Sequence, residues 1–402
     1  MPAGHAAQQF LQWGMTMHKP YYISAATIVG EDKNYTNSTL LIENGKIKAI
    51  NDKINEDYRH LHFEDSTLVP GLIDLHIHGR EGCDVMDGKM SSLNIISTSL
   101  AQHGVTCFLA TTVTSSWSET LKAMDMLGQA AKIAMPGAAV LGGYSEGLFF
   151  TKDHKGAHDE QYFLDLNIER VDALIDAAHG ELKVIALAPE VKNATKVIQH
   201  ITDRGVKVML GHTNATYDET VEAVKAGASG GVHVFNGMRG IHHREPGCTG
   251  AVLTEDCSVE VIADGVHLHP AILKMICKLK PTNDITLISD CINAGGMMDG
   301  LYTLGKLQVE VASGIARTKS GSLAGSTLTL EKAIKNMVSM ADVDFRDAVH
   351  MASLSPAKFL EIDGKKGSIK QSKDADLCII GKDGEVEMTI ISGKIVYNKN
   401  KS

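Results

Sequence analysis

The sequence predicts a (β/α)8 barrel carrying a small β-sandwich built from both chain ends, and three observations lead there. Eight short, apolar strand segments alternate with stretches of helical period over roughly 290 residues. Groups of short β segments separated by polar turns stand at the two ends of the chain, where they can pair only if the ends meet. Polar residues suited to chemistry fall where the predicted barrel strands end, which is the active face of such barrels. No Gly-x-Gly-x-x-Gly follows the first strand, so a doubly wound nucleotide-binding sheet is the weaker fit.

The elements follow in order. Residues 1–18 read as a leader or tag, with Met15 or Met17 as a natural start; no signal peptide is read in them. Residues 19–70 and 366–402 form the predicted small domain. Its strands are 21–29, 38–43 and 46–50, the last two joined by Glu43-Asn44-Gly45-Lys46, then 377–380, 388–391 and 395–397 at the far end. Residues 71–365 form the barrel, with strands at 72–77, 105–111, 138–143, 183–188, 206–210, 231–235, 259–263 and 285–289. Helical stretches fall between them at 118–134, 170–180, 194–204, 217–226 and 270–279.

A length of 402 residues exceeds the usual single core and suits one large domain plus a small one. Hydrophobic residues at 44% and charged residues at 22% describe a soluble globular chain. A formal charge of -9 leaves no basic footprint for nucleic acid. No apolar run approaches the roughly 20 residues of a membrane span. Seven scattered cysteines without a Cys-x-x-Cys pair suit reduced thiols and a cytoplasmic location.

His76 and His78 alternate along the first strand, so both point to one side of it and can grip one ion. The third strand leads to Glu146, the fifth to His212, the sixth carries His233, the seventh leads to Asp264 and His267, and the eighth ends in Asp290. Four histidines and two carboxylates at one mouth suffice for one or two divalent ions. His103, His154, His179, His200, His269 and His350 have no such placement and read as packing or surface residues. Gly321 to Ser326 lacks the Gly-Lys-Ser/Thr ending of a phosphate loop and reads as a tight active-site turn. Cys291, beside Asp290, has no histidine partner that would mark a nucleophile.

Pro70-Gly71-Leu72-Ile73-Asp74-Leu75-His76-Ile77-His78-Gly79, Glu146-Gly147, Lys155-Gly156-Ala157-His158, Gly211-His212-Thr213, His233-Val234-Phe235-Asn236, Arg244-Glu245-Pro246-Gly247 and Asp264-Gly265-Val266-His267 precede Asp290 in order. This set resembles the N-acetylglucosamine-6-phosphate deacetylases of the amidohydrolase superfamily, from about Tyr22 onward. The resemblance implies hydrolysis of the N-acetyl amide of an amino-sugar 6-phosphate, giving acetate and the free amine. It implies Glu146, His212 and His233 as core metal ligands, and His76 and His78 as the pair that holds a second ion in some members. Other members have Gln and Asn there and use one metal. Glu146 is then the bridge, and Asp290 is both a ligand and the catalytic acid/base.

Ala157, His158, Asn236, Gly237, Arg244, Asp264, His267, Leu323, Ala324 and Gly325 match substrate-binding segments, with Arg244 reaching the phosphate of a neighbouring subunit in a homodimer. Zinc is the first choice of metal, with iron, manganese or cobalt also suited to these ligands. Tyr144-Ser145, Leu148, Gly237 and Ile241-His242-His243 depart from the usual pattern, and they are expected to line the sugar and phosphate pocket. An N-acetylgalactosamine-6-phosphate deacetylase is the nearest alternative. A cyclic amidohydrolase would need a modified lysine where Ala188-Pro189-Glu190 stands, and an inert assembly module would have lost its ligands.

Overall fold

The computed structural model describes residues 19–51 and 53–401; the expected leader at 1–18 lies outside the described residues. Eight parallel strands form one sheet: Leu72–Ile77, Val105–Thr112, Ala139–Ser145, Leu182–Leu187, Lys207–Leu210, Gly230–Gly231, Ser258–Val261 and Ile285–Leu287. Each pairs with the next in chain order. The barrel closes between first and eighth strands through a parallel bridge from Ile77 to Cys291. There Asp290 N–H donates to the His76 carbonyl at 2.9 Å and His78 N–H to that of Cys291 at 2.9 Å. Asp74 locks the seam, its Oδ1 accepting from the backbone N–H groups of His76 (3.3 Å) and Ser289 (3.2 Å). Burial pushes the Asp74 carboxyl up to about 6 against those bonds.

All eight strands were legible, but the sixth and eighth are shorter by two or more residues than their apolar runs suggest. The sixth is a two-residue ladder, Gly230–Gly231, rather than 231–235. His233 and Phe235 adopt left-handed backbone angles (φ 25° and 76°), which take the chain out of the extended form. The eighth ends at Leu287 because the Ser289 amide turns to the Asp74 side chain. Helices follow the strands, the five predicted ones observed as Trp117–Ala130, Ile168–Ala177, Ala194–Asp203, Tyr217–Lys225 and Pro270–Leu279. Their apolar faces join the barrel wall in one core that includes Leu127, Leu174, Ile198 and Leu273.

Both chain ends build one seven-stranded sheet, ordered Lys394–Asn398, Val386–Ile391, Leu377–Ile380, Arg59–Pro70, Tyr21–Val29, Asn34–Glu43, Lys46–Ile50. Its central strand, Arg59–Pro70, was missed because its first half is charged and polar; it pairs with Tyr21–Val29 on one side and Leu377–Ile380 on the other. The sheet curls over a core of its own, with Ile23, Leu40, Ile47, Leu377 and Ile390 buried. The curl brings the turns of its two outer hairpins together, where a Cβ on Gly393 would stand 2.8 Å from the Gly45 Cα, and ties each to the inner segments: Tyr21 Oη donates to the Gly393 carbonyl at 2.8 Å, and Ala375 N–H to that of Gly45 at 2.8 Å. A three-stranded sheet, Gly300–Leu304, Leu307–Ala312 and Ile315–Thr318, was also unforeseen; it is inserted after the eighth barrel strand and reaches over the barrel mouth.

The sixth strand is glycine for a steric reason: a Cβ on Gly230 would stand 2.1 Å from the Ser258 carbonyl oxygen, an atom of the adjoining ladder. Gly230→Ala should therefore cost about 1–3 kcal/mol and lower the thermal unfolding midpoint by several degrees. An unchanged melting curve would show that the ladder yields.

Candidate metal centre and active site

Glu146 follows directly on the third strand and its carboxylate divides the barrel mouth. Oε1 lies 3.3 Å from His212 Nε2 and 3.0 Å from His233 Nε2. Oε2 lies 3.2 Å from His78 Nε2 and 3.5 Å from His76 Nε2. Asp290 Oδ1 faces the second pair, 3.2 Å from His78 Nε2 and 3.6 Å from His76 Nε2. The six residues named as ligands from the sequence thus converge, all buried. Two donor triads, His76 with His78 and Glu146, and Glu146 with His212 and His233, lie compactly enough for one ion each. Ligands about 2.0–2.1 Å from a tetrahedral ion stand roughly 3.3 Å apart, the spacing seen here.

The other ring nitrogen of each histidine decides its tautomer. Nδ1 of His78, His212 and His233 lies 3.2 Å from the carbonyl oxygens of Thr111, His154 and Asn236 respectively, and Nδ1 of His76 lies 3.1 Å from Glu260 Oε2. Every one of those partners is an acceptor only, so Nδ1 carries the proton and Nε2 turns a lone pair to the centre. His76 Nε2 is buried with no hydrogen-bond partner, which is costly unless a cation sits against it. The donor set therefore fits one or two divalent ions.

The local field agrees. Burial pushes the Glu146 carboxyl up, but the surrounding imidazoles, His76 and His158 foremost, outweigh it and hold it well below the usual range. Asp290 is likewise raised by burial and lowered further by its bond to His78 and the neighbouring His76. Burial and His158 press His212 down to about 4. Burial also presses on His78, but its bonds to Asp290 and Glu146 lift it to about 9. The two carboxylates draw positive charge to this spot, and an ion would take the place of protons. His212, His233 and Asp290 all adopt positive φ (48°, 25° and 47°), a strain that clusters at functional sites.

Above the cluster lies a cavity of about 290 Å³. His78, Glu146, His158, His212, His233 and Asp290 line it, together with Ala157, Asn236, Gly237, His267, Leu323 and Gly325. A Cβ on Gly325 would meet the Asp290 carbonyl at 2.7 Å, which explains a glycine there. His158 Nε2 stands 3.2 Å from His212 Nε2, and its Nδ1 lies 2.7 Å from Thr114 Oγ1.

Three expected substrate residues do not line this cavity. Asp264 holds His267, which does line the cavity, through Oδ2 lying 2.6 Å from His267 Nδ1. Ala324 is fully buried, and its amide donates to the Ala316 carbonyl. Arg244 is exposed and leans on His243. Glu245 does not pair with it; its Oε1 instead accepts the Tyr217 and Gly247 amides at 2.9 and 3.2 Å.

The expectation that Tyr144-Ser145, Leu148 and His242-His243 line the pocket is corrected. Tyr144, Ser145 and Leu148 are buried and do not line the cavity, and the Tyr144 ring packs 4.7 Å from that of His76. His242 and His243 are exposed and outside the cavity. The six discounted histidines bond elsewhere, for example His103 to Glu331 and His200 to Asp172, although the His154 carbonyl orients His212. Burial lifts the Cys291 thiol to about 11, unsuited to a nucleophile. Ser322, in the turn expected at the active site, lines the cavity, whereas Phe235 and Leu304 on its wall and Glu260 beneath it were missed by sequence reasoning. Glu260 had a signal: it is a lone carboxylate inside an apolar strand.

Fold and site together define a barrel hydrolase whose mouth is built around divalent ions. Residues 67–396 match the family model described as the Amidohydrolase family. The chain belongs to that family. It is 42% identical to the N-acetylglucosamine-6-phosphate deacetylase of Vibrio furnissii over 363 residues, 89% of this chain and 90% of that one. It is 44% identical to the N-acetylgalactosamine-6-phosphate deacetylase of Escherichia coli O157:H7 over 329 residues, covering 82% and 87% of the two. Among solved structures, a mutant N-acetyl-D-glucosamine-6-phosphate deacetylase from Mycobacterium smegmatis in complex with N-acetyl-D-glucosamine-6-phosphate superposes with a TM-score of 0.90 at 29% identity, covering 95% of this chain and 100% of that one.

Binding of ions to the folded state alone stabilises it by mass action, about 2.7 kcal/mol at a free concentration 100 times Kd. Chelation should therefore strip divalent metal from the purified protein and lower its melting temperature, and added zinc should restore it. A protein with no metal and a chelator-insensitive melt would contradict the ligand assignment.

Proposed function

We propose that this chain hydrolyses the N-acetyl amide of N-acetylglucosamine 6-phosphate, releasing acetate and glucosamine 6-phosphate. The observation that carries the reading is similarity along nearly the whole chain to a deacetylase of that substrate, in a chain whose own donor residues converge at the barrel mouth. His76, His78, Glu146 and Asp290 would hold one ion, and Glu146, His212 and His233 another, zinc being our first choice. A divalent ion there supplies Lewis acidity, making water nucleophilic near neutral pH and polarising the acetyl carbonyl.

The protein's own groups do the rest. Asp290, held ionised, takes a proton from the attacking water and returns it to the departing nitrogen. His158, on the cavity wall beside His212, offers a ring nitrogen to the acetyl oxygen or a sugar hydroxyl. His267, steadied by Asp264, and the Asn236–Gly237 backbone face the phosphate end. Arg244 is exposed and does not line its own cavity, which leaves it free to serve the neighbouring site of a homodimer; its planar fork suits a phosphate dianion. Seven unpaired cysteines fit a cytoplasmic setting, and among the described residues no helix is long and apolar enough to cross a membrane.

The 44% identity to a galactosamine-phosphate deacetylase makes the C4 epimer the specific competitor. Amine release from the two N-acetylated sugar phosphates, before and after chelation and metal addition, separates them. We expect metal-dependent turnover with the gluco substrate preferred. Preference for the galacto epimer would transfer the same chemistry to that sugar, and no turnover of either by metal-loaded protein would refute the reading.

Two substitutions probe the roles. Asp290→Asn should keep the protein folded while lowering kcat by about 10²–10⁴-fold; near-normal turnover would remove Asp290 from the proton transfer. Arg244→Ala should raise KM for the phosphorylated substrate about 10–100-fold with little effect on unphosphorylated N-acetylglucosamine. Equal changes for both would exclude the phosphate role.

A further inference from the structure

Of the four histidines whose Nε2 atoms face the centre, three are held at Nδ1 by neutral backbone carbonyls, those of Thr111, His154 and Asn236. His76 alone is held by a carboxylate, Glu260 Oε2 at 3.1 Å. That carboxylate sits mid-strand in Ser258–Val261 and is 2% exposed. Oε2 also accepts the His233 backbone N–H at 3.4 Å, whereas Oε1 has no partner. The Tyr144 ring packs on His76 from the same buried side, and its hydroxyl stands next to the Glu260 carboxylate without a well-formed hydrogen bond to it. A carboxylate buried this deeply with one oxygen unsatisfied is unfavourable on its own. Positive charge on the far side of the imidazole would stabilise it, and there His76 Nε2 faces Glu146 Oε2 and Asp290 Oδ1.

We infer that Glu260 is a positioning residue for the second cation, the one between His76, His78, Glu146 and Asp290. It fixes His76 as the Nδ1–H tautomer, orients the ring, and makes Nε2 a stronger donor than a carbonyl partner would. The other ion position does not depend on it in the same way, because His233 and His212 take their orientation from Asn236 and His154. The inference rests on the two-ion reading of the centre, and it adds a residue that touches neither the cavity nor a metal position. Occupancy of the second position is then set from beneath, by the seventh strand, and not only by the two histidines of the first.

The test is metal titration of apo protein with Zn²⁺, followed by calorimetry and elemental analysis, for wild type, Glu260→Gln and Glu260→Met. Wild type should bind two ions per chain. Glu260→Gln, which keeps an acceptor but loses the charge, should weaken the second ion about 10–100-fold and leave the first unchanged. Glu260→Met, with no acceptor, should retain one ion only. Circular dichroism identifies a variant that has not folded, and if Glu260→Met fails in this way Glu260→Gln decides alone.

Wild-type affinity for both ions in Glu260→Gln would overturn the role of Glu260 and leave the deacetylase reading standing. One ion in wild type would overturn the inference while sparing hydrolysis at the remaining position. No ion in wild type would overturn the metal reading on which the inference depends.

Discussion

The carboxylate of Glu146 is the constraint from which the active end of the molecule follows. Its two oxygens face two different histidine pairs, so His212 and His233 must gather on one side and His76 and His78 on the other. Those five residues come from the first, third, fifth and sixth strands, and only a closed parallel barrel delivers them to one point. Burying that charge would be expensive on its own; the ring of imidazoles makes it tolerable and prepares a place for cations. In the centre we propose, the same carboxylate bridges two ions, and Asp290 stands beside the bridge where a proton has to move.

Holding the ligands costs the backbone something. His212, His233 and Asp290 leave their strands in left-handed conformations that residues other than glycine seldom adopt. The strands beneath offset that cost through ladder pairing, through the Asp74 seam between the first and eighth strands, and through the carbonyls that accept the Nδ1–H groups of His78, His212 and His233. The ligand rings are therefore set before anything binds. Such preorganisation is what lets a fixed charge act on a reaction without first rearranging.

Much of this was legible in the sequence because the relevant signals are periodic or local. Alternating apolar strands announced the barrel, and His76 and His78 showed by spacing alone that they share a side. What was lost depended on partners distant in the chain. Arg59–Pro70 is polar at its start and becomes a strand only by lying between Tyr21–Val29 and Leu377–Ile380. Tyr144 looked like a pocket residue because it precedes Glu146 by two positions and so shares its side of the strand, but it lies one step back along that strand, where it is fully buried with its ring against His76. Leu304 reached the cavity wall through a three-stranded insertion that the alternation of strands and helices did not announce. Glu260 had a readable oddity but no readable partner, since His76 lies 184 residues away in the chain.

The account stands most directly on the claim that one carboxylate joins two cation positions. Low-temperature electron paramagnetic resonance of the protein loaded with two equivalents of Mn²⁺ measures this without reference to turnover. A spin-coupled spectrum from two ions sharing the Glu146 bridge is the predicted result. The hyperfine pattern of isolated Mn²⁺ ions at full loading would contradict it, and would mean that the two halves of the donor set are not joined.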